Sequence, residues 1–423
     1  MASDVGNQQR EVEPVISGYQ TAGTPTISFR LPPDIVDLEE LPHVELSSTR
    51  KPEDQPSTIT LEDILSTLGR QIRDDDSSNL ISVTRDDILE GGFRGFKKPR
   101  FNPAAPLNVK FSGERGIDNK GLAREFLTLS LMTISDRYFS GGPAKSISID
   151  YALMEDYEAV GKMMAYSIVH HGPPPSFFTK LSYEMICGGN SVERASLSDV
   201  TDVEAREAIQ KILEADDSDY GDVTETHLEL IEKSGCGRLI LPHQKEKLVQ
   251  SLIQFYAVDK HRAAVSKLQK GLETLGVLKA MRAHPTTMSQ LFLYKEEKLT
   301  ADQVEILFDV QYSPVGSNLR SSEERMVSYW RDLLEELEDE DGLESLLQFT
   351  TGVRRPPPLG FGQKLTLSFR HWQFLPEGQA CTIQFPRANT CALELALPVV
   401  QPYELFTARV KAAVRAPLFF GIE

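Results

Sequence analysis

Apolar and polar positions change their spacing along the chain, and those changes outline its organisation. Up to residue 77 the apolar runs are short and are broken by Pro, Ser, Thr and acidic residues. Such a texture holds too little apolar surface to order a chain by itself. One stretch there has helical spacing, with Leu61, Ile64, Leu65 and Leu68 on one face and Thr60 placed to cap it. The polar run from Asp74 to Asn79 then breaks the pattern, so residues 1–77 read as a poorly ordered lead segment, with a flexible linker favoured over the helix. From Leu80 the periodic positions become dense. Leu107 to Gly113 alternates like a strand, and LAREFLTLSLMTI follows as a helix with Leu122, Phe126 and Leu129 on one face. A helix from about Met154 to His171 carries Tyr157, Val160, Met164 and Ile168, and Gly172 with three prolines ends it. Further helices are expected over 203–214, 243–257, 260–270 and 301–310. Residues 78–311 thus form a mainly helical unit.

At Tyr312 to Asn318 the pattern gives way to YSPVGSN, a turn composition read as a hinge. Beyond it Ser321 and Glu324 have capping-box spacing. Met326, Trp330, Leu333 and Leu337 form a helical stripe suited to core packing. The acidic run from Glu335 to Glu344 reads as a solvated helix end. From Leu365 the period becomes two. Leu365, Leu367 and Phe369 share one side, CTIQF from Cys381 is a second strand, and Leu393, Leu395 and Leu397 mark a third. Pro402 opens a last helix that Pro417 ends. Residues 319–423 therefore read as a small unit of strands and helices, and the whole chain as α+β.

Composition narrows the possibilities. The 423 residues are 40% hydrophobic and 25% charged, with a formal net charge of −17. That balance argues against nucleic acid as a partner, because such binding rests on Lys and Arg meeting phosphates. No stretch reaches the roughly 18–20 apolar residues of a membrane-spanning helix, and the N-terminus lacks the apolar core of a signal peptide. A cytoplasmic or nuclear location is expected. The 4 cysteines (Cys187, Cys236, Cys381 and Cys391) contain no CxxC pair, so neither a structural metal site nor a cofactor is expected. Cys391 differs from the others in lying between two alternating segments, where Pro386 and Asn389 favour a loop. A thiolate there is a strong nucleophile, a thioester splits acyl transfer into two easier steps, and Arg387 nearby favours the thiolate.

The surroundings of Cys391 resemble a known family. LLQFTTGVRRPPPLGF (Leu346 to Phe361), then FPRANTC and LELALP, resemble the C-terminal lobe of HECT-type ubiquitin ligases. Upstream, VKFSGERGIDNKGLAREF (Val109 to Phe126) and VGKMMAYSIVHHGPPPSFF (Val160 to Phe178) are similar to that family's N-terminal lobe. SSEERMVSYWRDLLEEL resembles the helix past its hinge. The likeness covers roughly residues 78–423. It implies a bilobal fold: N-terminal lobe 78–311, hinge 312–318, C-terminal lobe 319–423. It implies that Cys391, preceded by Thr390, carries ubiquitin as a thioester, and that Phe420, fourth from the end, contributes to transfer. The implied partners are ubiquitin, a ubiquitin-conjugating enzyme docked between Gly188 and Lys247, and a protein substrate. Phe420 also has a simpler role available, docking the tail.

The chain departs from the family pattern in places. Asn389 stands where histidine is usual, Ala392 and Leu393 replace an aromatic and an amide residue, and Ala396 replaces an acid. No hairpin-forming stretch is evident in the docking region. Cys236 reads as incidental, Cys187 and Cys381 as structural, and His170, His171 and His371 as non-catalytic. Two readings follow: an active ligase, or a scaffold with the same fold that binds ubiquitin or partners without catalysis. A thiol hydrolase would instead require His371 beside Cys391.

Overall fold

The computed structural model describes residues 59–73, 77–114, 119–188, 195–358, 360–371 and 385–415. Within them the apolar periodicity builds two hydrophobic cores. One is made by residues up to Leu293, the other by residues from Leu299 onward.

The first core is mostly helical. It opens with α1 (Leu61–Gly69), where Thr60 Oγ1 accepts the Asp63 N–H at 3.2 Å and Asp63 Oδ2 accepts the Thr60 N–H at 2.9 Å. Ile64, Leu65 and Leu68 are buried in this core, so the favoured linker reading of this stretch gives way to a packed helix. Burying each such side chain contributes about 1.5–3 kcal/mol, enough to hold a short capped helix in place. Strands β1 (Asn79–Val83) and β2 (Leu107–Phe111) pair in parallel. Helix α2 (Ile88–Phe96) supplies the crossover that a parallel pair needs. Helix α3 (Asn119–Tyr138) and a short antiparallel pair, β3 (Phe139–Ser140) and β4 (Ser146–Ile147), follow.

Helix α4 (Tyr157–Val169) is buried on nearly every side. After it come α5 (Lys180–Cys187), α6 (Val203–Glu214), α7 (Tyr220–Thr226), α8 (Leu228–Lys233), α9 (Lys245–Ala257), α10 (Arg262–Leu272), α11 (Val277–Ala283) and α12 (Pro285–Met288), of which α10 packs directly along α4. Helix α6 has the bounds expected from its periodicity. Helices α4 and α10 cross where each presents a glycine. A Cβ on Gly161 would stand 2.2 Å from the Leu268 carbonyl oxygen, and one on Gly271 would stand 2.1 Å from the Glu158 carbonyl oxygen. Only hydrogen at these positions lets the backbones approach so closely.

In the second core the helix expected over 301–310 divides. Helix α13 (Ala301–Glu305) is capped by Thr300, and the chain then extends into β5 (Phe308–Val310). The sheet explains the change. Strand β5 pairs in parallel with β6 (Leu365–Arg370), and Phe308 packs edge-on against Trp330 with centroids 5.3 Å apart. Helices α14 (Arg320–Asp339), α15 (Leu343–Thr351) and α16 (Tyr403–Arg415) join β7 (Arg387–Asn389) and β8 (Glu394–Pro398) to complete the unit. The strand order is β5-β6-β8-β7, with β7 antiparallel at the edge. Trp330, Leu333, Leu346 and Phe406 pack with Leu365, Leu367, Leu395 and Leu397. Helices and a mixed sheet together make the described chain α+β. Of the CTIQF strand only Phe385 is among the described residues.

Other expectations change. Helix α14 begins at Arg320 with Leu319 as its cap residue and no side-chain cap. Ser321 therefore lies inside the helix and the capping box with Glu324 does not form; Glu324 pairs with Arg320 at 3.1 Å. The acidic run is not merely solvated. Glu336 accepts from Tyr403 Oη and Lys411 Nζ at 2.6 Å each, and Glu340 accepts from Lys411 at 2.8 Å and Arg415 at 2.6 Å. These bonds tie α14 to α16, and those from Lys411 and then Tyr403 hold the Glu336 carboxyl below its ordinary pKa.

The segment Tyr312 to Asn318 is tied to the second core at its first two residues, while Val315 stands exposed. Tyr312 stacks on Phe369 with centroids 5.9 Å apart, and the Arg320 guanidinium lies 4.8 Å over the Tyr312 ring. The buried Glu323 carboxylate accepts from Ser313 N at 2.7 Å and Ser313 Oγ at 2.6 Å, and engages His371 Nε2 at 2.7 Å. Burial raises the Glu323 pKa, but these bonds outweigh it and leave the carboxyl below its ordinary value. The chain passes from one core to the other earlier, across the exposed residues Tyr294 to Lys298.

Candidate functional site

Cys391 lies on the tight connection between β7 and β8. The pairing of Asn389 with Glu394 leaves Thr390 to Leu393 as the turn. The expected loop is thus shorter than PRANT, because residues 387–389 join the sheet as its edge strand. Asn389 Oδ1 accepts the Cys391 N–H at 3.2 Å and the Ala392 N–H at 3.1 Å. An Asn side chain that bonds backbone amides just ahead of it stabilises a turn in this way. Asn389 therefore shapes the turn that bears the thiol. Leu393 takes a left-handed φ of 55° with its side chain buried, and its carbonyl accepts from Thr366 N at 2.8 Å. Cys391 itself is half-buried. Arg387 is exposed and shares a strand face with Asn389.

Thr390 is buried, and its hydroxyl has no hydrogen-bond partner among the described residues. Its carbonyl accepts from Arg124 Nη2 of α3. Arg124 Nε also donates to the Thr351 carbonyl at 2.9 Å. Thr351 ends α15, and Gly352 follows with a left-handed φ of 83°. A Cβ on Gly352 would meet Gly121 O at 3.2 Å and Glu125 N at 3.3 Å, so the glycine permits both the helix end and its close seat on α3. Thr128 Oγ1 donates to the Gly352 carbonyl at 2.8 Å. Three stretches far apart in sequence (GLAREF, FTTG and RANTC) therefore meet at one place.

Beside them, Glu125 is fully buried and accepts from Arg85 Nη1 at 2.8 Å, while Arg85 Nε donates to Glu114 at 2.5 Å. Burial lifts the Glu125 carboxyl to about 7 against the opposing pull of Arg85. Glu394, the first residue of β8 after the turn, is an acidic residue that sequence reasoning did not single out. It accepts from Ser368 Oγ at 2.6 Å and shares a face of β8 with Ala396, one pleat closer to Cys391. The period-two alternation of LELAL carried that signal.

The remaining residues lie elsewhere. His371 follows the far end of β6, five residues beyond the Thr366 that pairs with Glu394, roughly 16 Å along the sheet at about 3.3 Å per residue. His170 stacks on Tyr166 with centroids 3.8 Å apart, and burial lowers its pKa. Cys187 is buried, burial raises its thiol pKa, and Cys236 is half-buried. Phe420 and Cys381 lie outside the described residues. Among the described residues no group of three or more His, Cys, Asp or Glu is placed to hold a metal ion, and no helix is long and apolar enough to cross a membrane.

The described part of the segment expected to dock a conjugating enzyme forms α6 to α8, with no strand among its described residues. A cleft of about 440 Å³ opens there, lined by Tyr151, Asp202, Glu204, His227, Phe255 and Lys260 among others. Of the lining residues Tyr151 is 84% exposed, and within the segment itself Val203 and Leu241 present apolar surface to solvent. Sequence periodicity did not single them out.

A family model described as HECT-domain (ubiquitin-transferase) matches residues 122–423. The G2/M phase-specific E3 ubiquitin-protein ligase of Gallus gallus is 28% identical over 369 residues, 84% of this chain and 47% of that protein. Its Homo sapiens counterpart is 27% identical over 373 residues, 86% of this chain and 49% of that protein. The E3 ubiquitin-protein ligase NEDD4 of Rattus norvegicus is 23% identical over 358 residues, 77% of this chain and 38% of that protein. The chain spans about half the length of the G2/M phase-specific relatives.

Proposed function

The chain belongs to the HECT-domain (ubiquitin-transferase) family, and on that premise we propose that Cys391 takes ubiquitin from a conjugating enzyme as a thioester and passes it to lysines of a protein substrate. The observation that carries this reading is the seat of Cys391 on a braced turn at a sheet edge, where GLAREF and FTTG converge. In loading, the Cys391 thiolate attacks the carbonyl of the enzyme-bound ubiquitin thioester. A new C–S bond forms, the old one breaks, and the departing thiolate takes up the proton that Cys391 gave. In discharge, a lysine amine attacks the new thioester, a C–N bond forms, the C–S bond breaks, and the amine proton ends on the Cys391 sulfur. The thioester supplies the driving force, so neither step calls for a metal or redox group. Glu394 is the carboxylate assigned to assist proton removal from the amine.

The cleft beside α6 to α8, with the exposed Tyr151 in its lining, is the docking surface assigned to the conjugating enzyme. The pivot between lobes is assigned to Lys295–Glu297 rather than Tyr312–Asn318. Tyr294 N donates to Phe178 O at 3.0 Å on one side, and Lys298 pairs with Asp341 at 2.9 Å on the other, leaving three exposed residues between. A short segment of this kind absorbs backbone rotation while both cores stay packed.

The test is incubation with activating enzyme, conjugating enzyme and ubiquitin. A reductant-sensitive adduct is expected, lost in Cys391→Ala and converted to a reductant-resistant oxygen ester in Cys391→Ser. An unchanged adduct in Cys391→Ala would refute the assignment. A non-catalytic scaffold is the second reading, favoured by Asn389, whose side-chain oxygen is engaged by two backbone amides. Lysine-linked ubiquitin that depends on Cys391 would eliminate it.

A further inference from the structure

Arg124 reaches from the first core to two backbone carbonyls of the second. Its Nε serves the Thr351 carbonyl at the end of α15, and its Nη2 serves the Thr390 carbonyl, part of the peptide that leads into Cys391. One rigid guanidinium fork thus fixes the spacing between the α15 terminus and the thiol turn. A lysine, with a single ammonium on a flexible stem, does not reproduce that fork. One helical turn along the same face of α3, Thr128 holds the Gly352 carbonyl, and Gly352 lets the α15 end sit against the α3 backbone. The turn is therefore braced from within by Asn389 and from the other core by Arg124.

We infer that Arg124 is a positioning residue for discharge: it docks the Cys391 turn on α3 while the thioester is passed to lysine. This rests on the reading of Cys391 as the thioester carrier. The two steps make different demands. In loading, the acyl donor is a folded enzyme with ubiquitin attached, and the second lobe must present its thiol to that bulky partner. Docking on α3 adds nothing to that approach, and release from α3 eases it. In discharge only the tip of a long lysine side chain must reach the thioester, so the docked arrangement persists through the step. A displacement of the reacting centre by about 1 Å costs on the order of 100-fold in rate, so a fork that fixes the peptide next to Cys391 acts on this step.

The experiment uses the full chain with Arg124→Ala, Arg124→Lys and Thr128→Val. Folding is checked by thermal melting. Hydrogen exchange of residues 119–128 and 350–353 is measured without ubiquitin. Loading and discharge to free lysine are measured in separate single-turnover reactions. Arg124→Ala is expected to speed exchange at both segments and slow discharge about tenfold. Its loading should hold within twofold or rise. Arg124→Lys should fall between it and the parent, and Thr128→Val should shift in the same direction but less. Unchanged exchange in Arg124→Ala overturns the docking contact. Altered exchange with equal losses in both steps, or with unaltered discharge, overturns the positioning role. A parent chain that forms no thioester at all overturns the transfer reading on which that role rests, while the exchange data still report on the contact by themselves.

Discussion

Replacing Asn389 by Ala removes the one acceptor that serves both the Cys391 and the Ala392 amides. The side chain is exposed, so each lost bond is set at the low end of the usual net range, about 0.5–1 kcal/mol. The turn should loosen by about 1–2 kcal/mol, which corresponds to a 5- to 30-fold fall in the loading rate if the braced turn is the reactive form. Asn389→Asp separates geometry from charge. It keeps an oxygen acceptor for both amides but puts a negative charge on the side chain that holds the thiol turn, and like charges about 4 Å apart in water repel by about 1 kcal/mol, a cost borne by the thiolate. Its loading should fall about fivefold at pH 7 and recover toward the parent as pH rises and the thiol ionises. Single-turnover loading across pH, with amide exchange at Cys391 and Ala392, measures both effects. If Asn389→Ala leaves exchange and loading unchanged, the turn is not what orders the thiol and the reasoning fails.

Three further outcomes are expected. Gly161→Ala should destabilise the chain by about 2–3 kcal/mol, because its Cβ would stand 2.2 Å from the Leu268 carbonyl oxygen and α4 and α10 must part to admit it; urea denaturation checks this, and a loss below about 0.5 kcal/mol would contradict the crossing. Glu125 has an ordinary carboxyl pKa of 4.5 when unfolded and about 7 when folded, with burial as the cause. The unfolded chain thus loses this proton first as pH rises, so stability should fall from about pH 4.5 to pH 7 and then level off. Glu125→Gln should flatten that part of the melting-temperature profile, and an unaltered slope would refute the assignment. Glu394→Gln should slow discharge to lysine by about 10- to 100-fold, the scale of general base assistance, with loading unaffected; equal rates in parent and variant would remove Glu394 from the transfer step.

The local pattern carried a good deal of this. Helix α6 keeps its expected bounds, and Met326, Trp330, Leu333 and Leu337 are all buried as the stripe on α14 required. Alternation also identified β6 and β8, and the polar interval between apolar runs placed Cys391 in a turn. Each of these follows from neighbours within one or two turns of chain, because helix caps, stripes and pleats are set by residues close in sequence. Local pattern failed where partners lay far away. Residues 308–310 read as the end of a helix because nothing nearby reveals that β6 will pair with them. Gly161 and Gly271 look like helix weaknesses until α4 and α10 cross. The acidic run looks solvated until Lys411 and Arg415 arrive from α16. The same holds for Arg124, an unremarked helix residue whose partners, the carbonyls of Thr351 and Thr390, lie in another core. Backbone carbonyls carry no side-chain signature, so only the tertiary approach of α3 to the thiol turn selects which residue serves them.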